Sequence, residues 1–168
     1  MFRTILVPHD FSECAARAEE LAAGWAEKGK GRLVLFHACQ LPAGLSLGAT
    51  VTPEGGTPVT VEHHVLGGAL DRLEARAQPL RKRGISVSVR AAIGDIAAAT
   101  LEEAQACRAE IIVMGTHGRT GLAHFILGSS AEKIIRTARI PVVTLRHTQE
   151  EGVVDTPEEL DARDEQAG

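Results

Sequence analysis

Two clusters of glycine and serine in the second half of the chain have the residue types that bind a phosphate group. Gly115 and Gly118 form the first cluster, and Gly128-Ser129-Ser130 follows after nine intervening residues. Glycine can adopt a positive φ and lets the backbone approach a ligand closely. A helix that begins at Ser129 would direct free N–H groups and a positive dipole end toward an anion. The spacing therefore predicts one phosphate cradle, in which the serine hydroxyls also donate.

This pattern differs from two common phosphate-binding loops. The chain contains no Gly-Lys-Ser or Gly-Lys-Thr, so it has no Walker A loop. The glycines also follow a late strand rather than the first strand, where the dinucleotide-binding fingerprint lies. A turn and a helix cap would explain the same glycines without a ligand. The prediction of a phosphate site therefore depends on where these glycines lie in the fold.

Five segments have the composition of β-strands. They are Thr4–Val7, Arg32–Ala38, Ile85–Ala91, Glu110–Met114 and Pro141–Leu145. The second and fourth contain continuous apolar runs, which are typical of strands covered on both faces in a parallel sheet. The third alternates apolar and polar residues, which favours a place nearer the edge.

Helical spacing of apolar residues occupies the intervals between these strands. Ser12 is the predicted N-cap of the first helix, Gly84 ends the second, and Asp95 opens the third. In the fourth helix, the sequence from Ser129 to Glu132 predicts a capping box.

The alternation of strands and helices predicts an α/β fold with a parallel sheet and helices on both faces. Ligands of such sheets bind at the carboxyl ends of the strands, where the strand order reverses. We therefore expect Pro8-His9-Asp10 and the segment from Gly115 onward to form the site. Residues 41–62 are rich in proline and glycine and predict a long mobile loop, either a lid or an insertion without a function at the site.

Composition limits the classes of function open to this 168-residue chain, whose length predicts one domain. Only 3% of the residues are aromatic, which argues against surfaces that stack nucleic-acid bases on rings. We therefore expect no nucleic-acid partner. No apolar run approaches the length of a membrane span, so we expect no membrane partner either. The three scattered cysteines lack the spacing of a metal site and indicate reduced thiols in a cytoplasmic protein. The pair His63-His64 has no third ligand at a suitable spacing and indicates a surface pair rather than a metal site.

The acidic residues are concentrated at the C-terminus. Residues 147–168 contain eight acidic residues and one arginine, whereas residues 1–146 have a small excess of basic residues. The segment has no apolar periodicity, and its composition is typical of a disordered, solvating tail.

Several segments together resemble the universal stress protein family, in particular its ATP-binding branch. The spacing Gly115-x2-Gly118-x9-Gly128-Ser129 resembles the signature of that branch. Residues 5–12, 35–38, 114–118 and 140–143 resemble its strand ends and turns. The resemblance covers residues 1–146 and leaves out the 41–62 loop and the acidic tail.

The resemblance implies a five-stranded parallel sheet in the order 3-2-1-4-5, similar to the adenine nucleotide alpha hydrolase-like fold. It also implies that the chain binds ATP, or AMP or ADP, with Mg²⁺ as a further cofactor. A homodimer would form through the last strand, Pro141–Leu145. The implied nucleotide-binding residues are Pro8, Asp10, Ala38, Met114, Gly115, His117, Gly118, Arg119, Gly128, Ser129 and Ser130.

By the same resemblance, Asp10 would bind the ribose, whereas Pro8 and the backbone of Ala38 would border the adenine. Asp10 could instead cap the first helix together with Ser12. His117 could be a polar loop residue, and Arg119 a solvated charge.

The expected function is that of an ATP-binding stress protein that acts through nucleotide-dependent conformation or partner binding, with slow or no hydrolysis. One alternative is an adenylating or pyrophosphatase-type enzyme on the same fold. Enzymes of that class have a motif similar to Ser-Gly-Gly-x-Asp-Ser after the first strand, and this chain lacks that motif. Another alternative is a dimeric interaction module without a nucleotide.

Overall fold

A central parallel sheet lies between two layers of helices in the computed structural model, which describes residues 1–41, 44–53, 56–116 and 128–146. Along the chain the strands are β1 (Thr4–Pro8), β2 (Arg32–Cys39), β3 (Thr50–Val51), β4 (Val59–Thr60), β5 (Ser86–Ile93), β6 (Ile111–Gly115) and β7 (Val142–Leu145). The helices are α1 (Glu13–Gly29), α2 (Val61–Lys82), α3 (Ile96–Ala106) and α4 (Ser129–Thr137). The prediction for the acidic tail lies outside the described residues.

Five strands form the parallel sheet, in the order β5-β2-β1-β6-β7. This order confirms the predicted 3-2-1-4-5 arrangement, because β3 and β4 pair with each other outside this sheet. The central strand β1 pairs on both sides, so that Ile5 lies beside Leu33 of β2 and beside Ile111 of β6. The carboxyl ends of β2, β1 and β6 are therefore neighbours at one edge of the sheet.

Alternate residues of the strands pack into two separate cores. Ile5 and Val7 of β1 face α1 and α2, whereas Leu6 faces α3 and α4. Both cores consist mainly of alanine and branched aliphatic side chains, with Phe36 as the one phenylalanine among the fully buried large residues described. The continuous apolar runs are thus explained, because the inner strands are covered on both faces.

Small residues let α1 lie close to the sheet. Ala18, Ala22 and Ala23 are fully buried there. The helix begins as predicted, with the Ser12 hydroxyl accepting from the N–H of Ala15 at 3.2 Å. Asp95 likewise caps α3 by accepting from the N–H of Ala98 at 2.9 Å.

The segment 41–62, expected as one long loop, contains regular structure. The strands β3 and β4 form a short antiparallel pair, and α2 begins within the segment at Val61. The N–H of Val61 donates to the carbonyl of Ala49 at 2.8 Å, which attaches the pair to the start of α2. Two strands of two residues each are too short to produce a periodic signal in the sequence.

The described cysteines are free thiols, as expected. Cys14 and Cys39 are buried, and burial raises the pKa of both thiols, so they serve as small apolar residues. No group of three or more histidine, cysteine or acidic side chains that could hold a metal lies within the described ranges. None of the helices described there is long and apolar enough to cross a bilayer.

Candidate functional site

Eight of the eleven residues predicted to bind a nucleotide belong to the described part of the chain. His117, Gly118 and Arg119 lie outside it. The eight residues that can be placed are Pro8, Asp10, Ala38, Met114, Gly115, Gly128, Ser129 and Ser130. All of them lie at or just beyond the carboxyl ends of β1, β2 and β6, or at the start of α4.

Three of these residues share one face of the sheet. Ala38 and Met114 pack against the core that faces α3 and α4. Pro8 has the same parity as Leu6 in β1, so its side chain points to that face as well. A shallow apolar surface from β2, β1 and β6 therefore faces the side of the sheet on which α4 lies.

Hydrogen bonds bring the start of α4 to the end of β6. The N–H of Gly128 donates to the carbonyl of Thr116 at 3.0 Å, and the N–H of Thr116 donates to the carbonyl of Leu145 in β7 at 2.9 Å. A Cβ on Gly128 would lie 3.2 Å from that Thr116 oxygen. The glycine thus permits the two ends of the 117–127 segment to meet.

The predicted capping box at the start of α4 is wrong. The N-cap is Gly128, which has no side chain to accept a hydrogen bond, and Ser129 is already the first helical residue. Glu132 makes a 3.4 Å contact with Arg136. The difference matters chemically, because no residue at the cap position competes for the first N–H groups of α4.

The positive φ predicted for Gly115 is not found. The glycines with positive φ in the described residues are Gly44 and Gly84, and Gly115 is not among them. Instead, a Cβ at position 115 would lie 2.8 Å from the Cβ of Cys14 and 3.2 Å from the backbone nitrogen of Ala15. Glycine is required here because the end of β6 packs against the first turn of α1.

Asp10 takes part in the turn that leads from β1 into α1. Its Oδ1 accepts from the N–H of Ser12 at 3.0 Å and from the Ser12 hydroxyl at 2.6 Å. The same hydroxyl caps α1, so Asp10 supports the helix start, as the alternative interpretation expected. Phe11, between them, adopts a left-handed conformation with φ of 66°.

A buried ionic cluster behind this turn was missed from the sequence. Its members are His9, Glu19 and Arg76, and His9 and Glu19 are only 3% and 5% exposed. Arg76 of α2 binds both carboxylate oxygens of Glu19, from Nε at 2.6 Å and from Nη2 at 3.1 Å. The available signal was the spacing of Glu19 with Ala15, Ala22 and Ala26, which places an acid on the buried face of α1.

The His9 ring has one protonation pattern that fits its neighbours. Its Nδ1 accepts from the N–H of Phe11 at 2.9 Å, so the ring proton is on Nε2. Nε2 lies 3.2 Å from Oε2 of Glu19. Its N–H is not well aligned for a hydrogen bond, so charge–dipole attraction across this short distance is the main interaction.

Burial by itself raises the pKa of the Glu19 carboxyl. The nearby Nε2–H of His9, the hydrogen bonds from Arg76 and the positive charge of Arg76 together more than offset that effect and leave the pKa below its usual value. Glu19 is therefore a buried carboxylate that is kept ionised by its two partners.

Aromatic rings and a second arginine cover the same turn. The ring of Phe11 lies 5.2 Å from that of His9 and 4.8 Å from that of His37, and the Arg72 guanidinium lies 3.6 Å above its centre. Nδ1 of His37 lies 2.6 Å from the carbonyl of His9, so it is the donor of that hydrogen bond.

Comparison with known proteins identifies the family. The model of the universal stress protein family matches residues 1–146. This chain belongs to the universal stress protein family. A universal stress protein of Thermus aquaticus is 32% identical over 148 residues, which span 87% of this chain and all of the relative.

Solved structures agree on the fold of this universal stress protein. The structure of a hypothetical protein, MJ0577, superposes with a TM-score of 0.72 at 21% identity, over 89% of this chain and 99% of the other. A universal stress protein in complex with cAMP superposes with a TM-score of 0.58 at 20% identity, over 86% and 97% of the two chains.

Proposed function

We propose that this universal stress protein binds an adenine nucleotide, with ATP as the principal ligand, at the carboxyl ends of β1, β2 and β6. The observation that carries the proposal is the shared face of Pro8, Ala38 and Met114, beside a helix start that has no side-chain cap. The first element suits a flat apolar base, and the second suits a phosphate. The cAMP complex of a universal stress protein with the same fold supports a nucleotide as the ligand class.

Each of the eight candidate site residues that the structure describes has a role in this proposal. Pro8 and Met114 border the adenine, whose edge is read by the backbone of Ala38. Asp10 binds the ribose hydroxyls while its Oδ1 continues to hold Ser12. The phosphates are held by Gly115, Gly128, Ser129 and Ser130. We extend the phosphate site to His117, Gly118 and Arg119, and we include Mg²⁺ as a further cofactor that would neutralise charge on the phosphates.

The protein would act through the nucleotide-bound conformation, or through partners that recognise it, in the cytoplasm. A homodimer through the Pro141–Leu145 segment is part of the proposal. Its support is that β7 ends the strand order of the sheet, where its outer backbone groups can pair with a second copy. Light scattering of the purified protein tests the dimer.

The decisive experiment is to denature the purified protein and identify any released nucleotide by mass spectrometry, followed by calorimetric titration with ATP–Mg²⁺, AMP and cAMP. Retained nucleotide, or saturable heat with any of the three ligands, supports the proposal. Absence of both contradicts it and favours the nucleotide-free module. Rapid multiple turnover of ATP would favour the enzyme alternative.

Asp10→Asn locates the site within the protein. Asparagine keeps an Oδ1 that accepts from Ser12, but it loses the negative charge that a ribose diol binds. We expect weaker binding of all three nucleotides with little change in thermal stability. Asp71→Asn, which removes the same charge from an exposed position on α2, is the matched control and should bind like the wild type.

A further inference from the structure

The cluster of His9, Glu19 and Arg76 lies on the opposite side of the sheet from the proposed adenine surface. His9 follows Pro8 directly, so consecutive residues at the end of β1 point to opposite faces. Glu19 comes from α1 and Arg76 from α2. Three elements therefore meet at the turn that contains Asp10, on the side away from the ligand.

Burial of this cluster requires that all of its members stay together. An ionised carboxylate that is 5% exposed is costly unless it is paired. The two-point contact of Arg76 supplies the charge, and Nε2 of His9 faces the same oxygen that Nε of Arg76 contacts. Removal of Arg76 would leave Glu19 with only a neutral imidazole as its partner.

The imidazole of His9 lies between Glu19 and the turn, with Nε2 facing Glu19 and Nδ1 facing Phe11. With the proton on Nε2, the Nδ1 atom is free to accept from the N–H of Phe11. If the proton moved to Nδ1, two N–H groups would face each other at 2.9 Å and the contact would be repulsive. A carboxylate beside Nε2 favours the first arrangement, because it attracts the proton to that side of the ring.

The hydrogen bond from the N–H of Phe11 to His9 Nδ1 bears on the position of Asp10, because Phe11 is the next residue in the chain. Phe11 has a φ of 66°, which is unfavourable for a residue with a side chain and must be held by its surroundings. The Nδ1 contact fixes the residue immediately after Asp10, and the Ser12 contacts fix the carboxylate itself. The orientation of Asp10 thus depends on atoms that lie behind the sheet.

The helix α2 contacts this turn directly through one arginine and indirectly through another. Arg76 reaches Glu19, and Arg72, one helical turn earlier, covers the ring of Phe11. The same helix begins at Val61, which is bonded to Ala49 beside the β3–β4 pair. A displacement of α2 would therefore be transmitted to the Asp10 turn.

We propose that Glu19 and Arg76 are positioning residues for the nucleotide site, which act through the Nε2–H tautomer of His9 and the Phe11 turn to orient Asp10. This inference rests on the proposed function. It adds that residues on the far side of the sheet set the orientation of Asp10 and so the affinity for the nucleotide. The ionisable groups that face His9 are Glu19 from α1, Arg76 from α2 through Glu19, and His37 from β2 through the His9 carbonyl.

Glu19→Gln and Arg76→Met test the inference. Glutamine keeps the shape of Glu19 but can offer an N–H to either neighbour, and methionine keeps the stem of the half-exposed Arg76 without its charge. We expect each variant to weaken ATP binding about 5-fold or more in calorimetry at a temperature at which circular dichroism shows a folded protein. Arg76→Lys, which restores the charge, should recover part of the affinity.

A second ion pair between the same two helices provides the matched control. Arg83 of the α2 C-cap contacts Glu20 at 2.7 and 2.9 Å in an exposed position away from the turn. Glu20→Gln makes the same chemical change as Glu19→Gln one residue further along α1, and it also weakens an ion pair with an arginine of α2. This variant should leave the ATP affinity unchanged. If it weakened binding as much as Glu19→Gln, the effect would be one of general helix packing, and the inference would be overturned.

A double variant separates positioning from other effects. If Glu19 acts through Asp10, then Glu19→Gln should have little further effect on affinity in the Asp10→Asn protein. Additive losses would contradict the proposed route.

A spectroscopic readout distinguishes failure of this inference from failure of the proposed function. Nitrogen chemical shifts of the His9 ring report its tautomer without any nucleotide. We expect an unprotonated Nδ1 in the wild type and in Glu20→Gln, and a change in Glu19→Gln together with faster amide exchange at Phe11. An unchanged ring and amide in Glu19→Gln would overturn the inference. If the wild type retained no nucleotide and bound none of ATP, AMP and cAMP, the proposed function would be overturned instead.

Discussion

Replacement of Gly115 by alanine tests why this glycine is at the end of β6. A Cβ there would lie 2.8 Å from the Cβ of Cys14, about 0.6 Å inside the 3.4 Å limit of ordinary contact, and 3.1 Å from the Cys14 carbonyl carbon. Cys14 is in the first turn of α1, which the Ser12 cap and the buried alanines hold in place. The clash therefore cannot be relieved by rotation of a flexible side chain.

The magnitude follows from two opposing effects. Overpacking against a fixed backbone costs about 1–3 kcal/mol, while loss of glycine from the unfolded chain returns about 0.4–1 kcal/mol. We expect a net loss of about 1–2 kcal/mol in the free energy of unfolding for Gly115→Ala. At about 2–4 °C per kcal/mol for a chain of this size, Tm falls by several degrees.

Gly24→Ala is the matched control, because it makes the same chemical change where nothing lies within 4 Å of the new Cβ. Gly24 is inside α1, where alanine is preferred, so this variant should gain about 0.5–1 kcal/mol. Urea denaturation and thermal scans of the three proteins measure the differences. If Gly115→Ala were as stable as the wild type but bound nucleotide more weakly, Gly115 would be needed for ligand approach, and the packing argument would be refuted.

Two further predictions concern α1. Ser12→Ala should lower the free energy of unfolding by about 0.5–2 kcal/mol in urea denaturation, because it removes the cap of α1. Ser129→Ala removes no cap and should change the free energy of unfolding little. Equal losses in the two variants would contradict the assignment of Gly128 as the N-cap of α4. The lowered pKa of Glu19 contributes stability that is complete above the ordinary glutamate pKa and is lost as pH falls through the lower folded-state value. The stability difference between the wild type and Glu19→Gln should therefore be largest near neutral pH and shrink below about pH 4 in urea titrations at several pH values, and a constant difference across that range would count against an ionised Glu19.

The sequence was sufficient to predict the sheet, because its signals are local. The apolar runs at β2 and β6 and the caps at Ser12 and Asp95 each depend on a few neighbouring residues. The order of strands followed from the resemblance to a family. The β3–β4 pair was not predicted, because its strands contain too few residues to show an alternation of apolar and polar side chains.

The parts of the site that could not be predicted depend on contacts between distant segments. Nothing near Gly115 in the sequence reports that Cys14 lies 2.8 Å from its absent side chain. The partners Glu19 and Arg76 are 57 positions apart, and their pairing depends on how α2 crosses α1. A glycine or a buried acid signals a constraint, but only the packing shows whether a ligand or another helix imposes it.

The start of α1 is where the fold and the candidate site depend on the same atoms. Asp10 holds Ser12, Ser12 caps the helix, and Gly115 makes room for its first turn. A substitution such as Asp10→Ala would therefore weaken a nucleotide site and the helix cap together, and a loss of binding would not identify a ligand contact. Asp10→Asn preserves the Oδ1 acceptor for Ser12, removes the negative charge and replaces the second carboxylate oxygen by an NH2 group. A loss of affinity at unchanged stability in that variant can be assigned to the ligand, because unchanged stability shows that the support of the helix start has been kept.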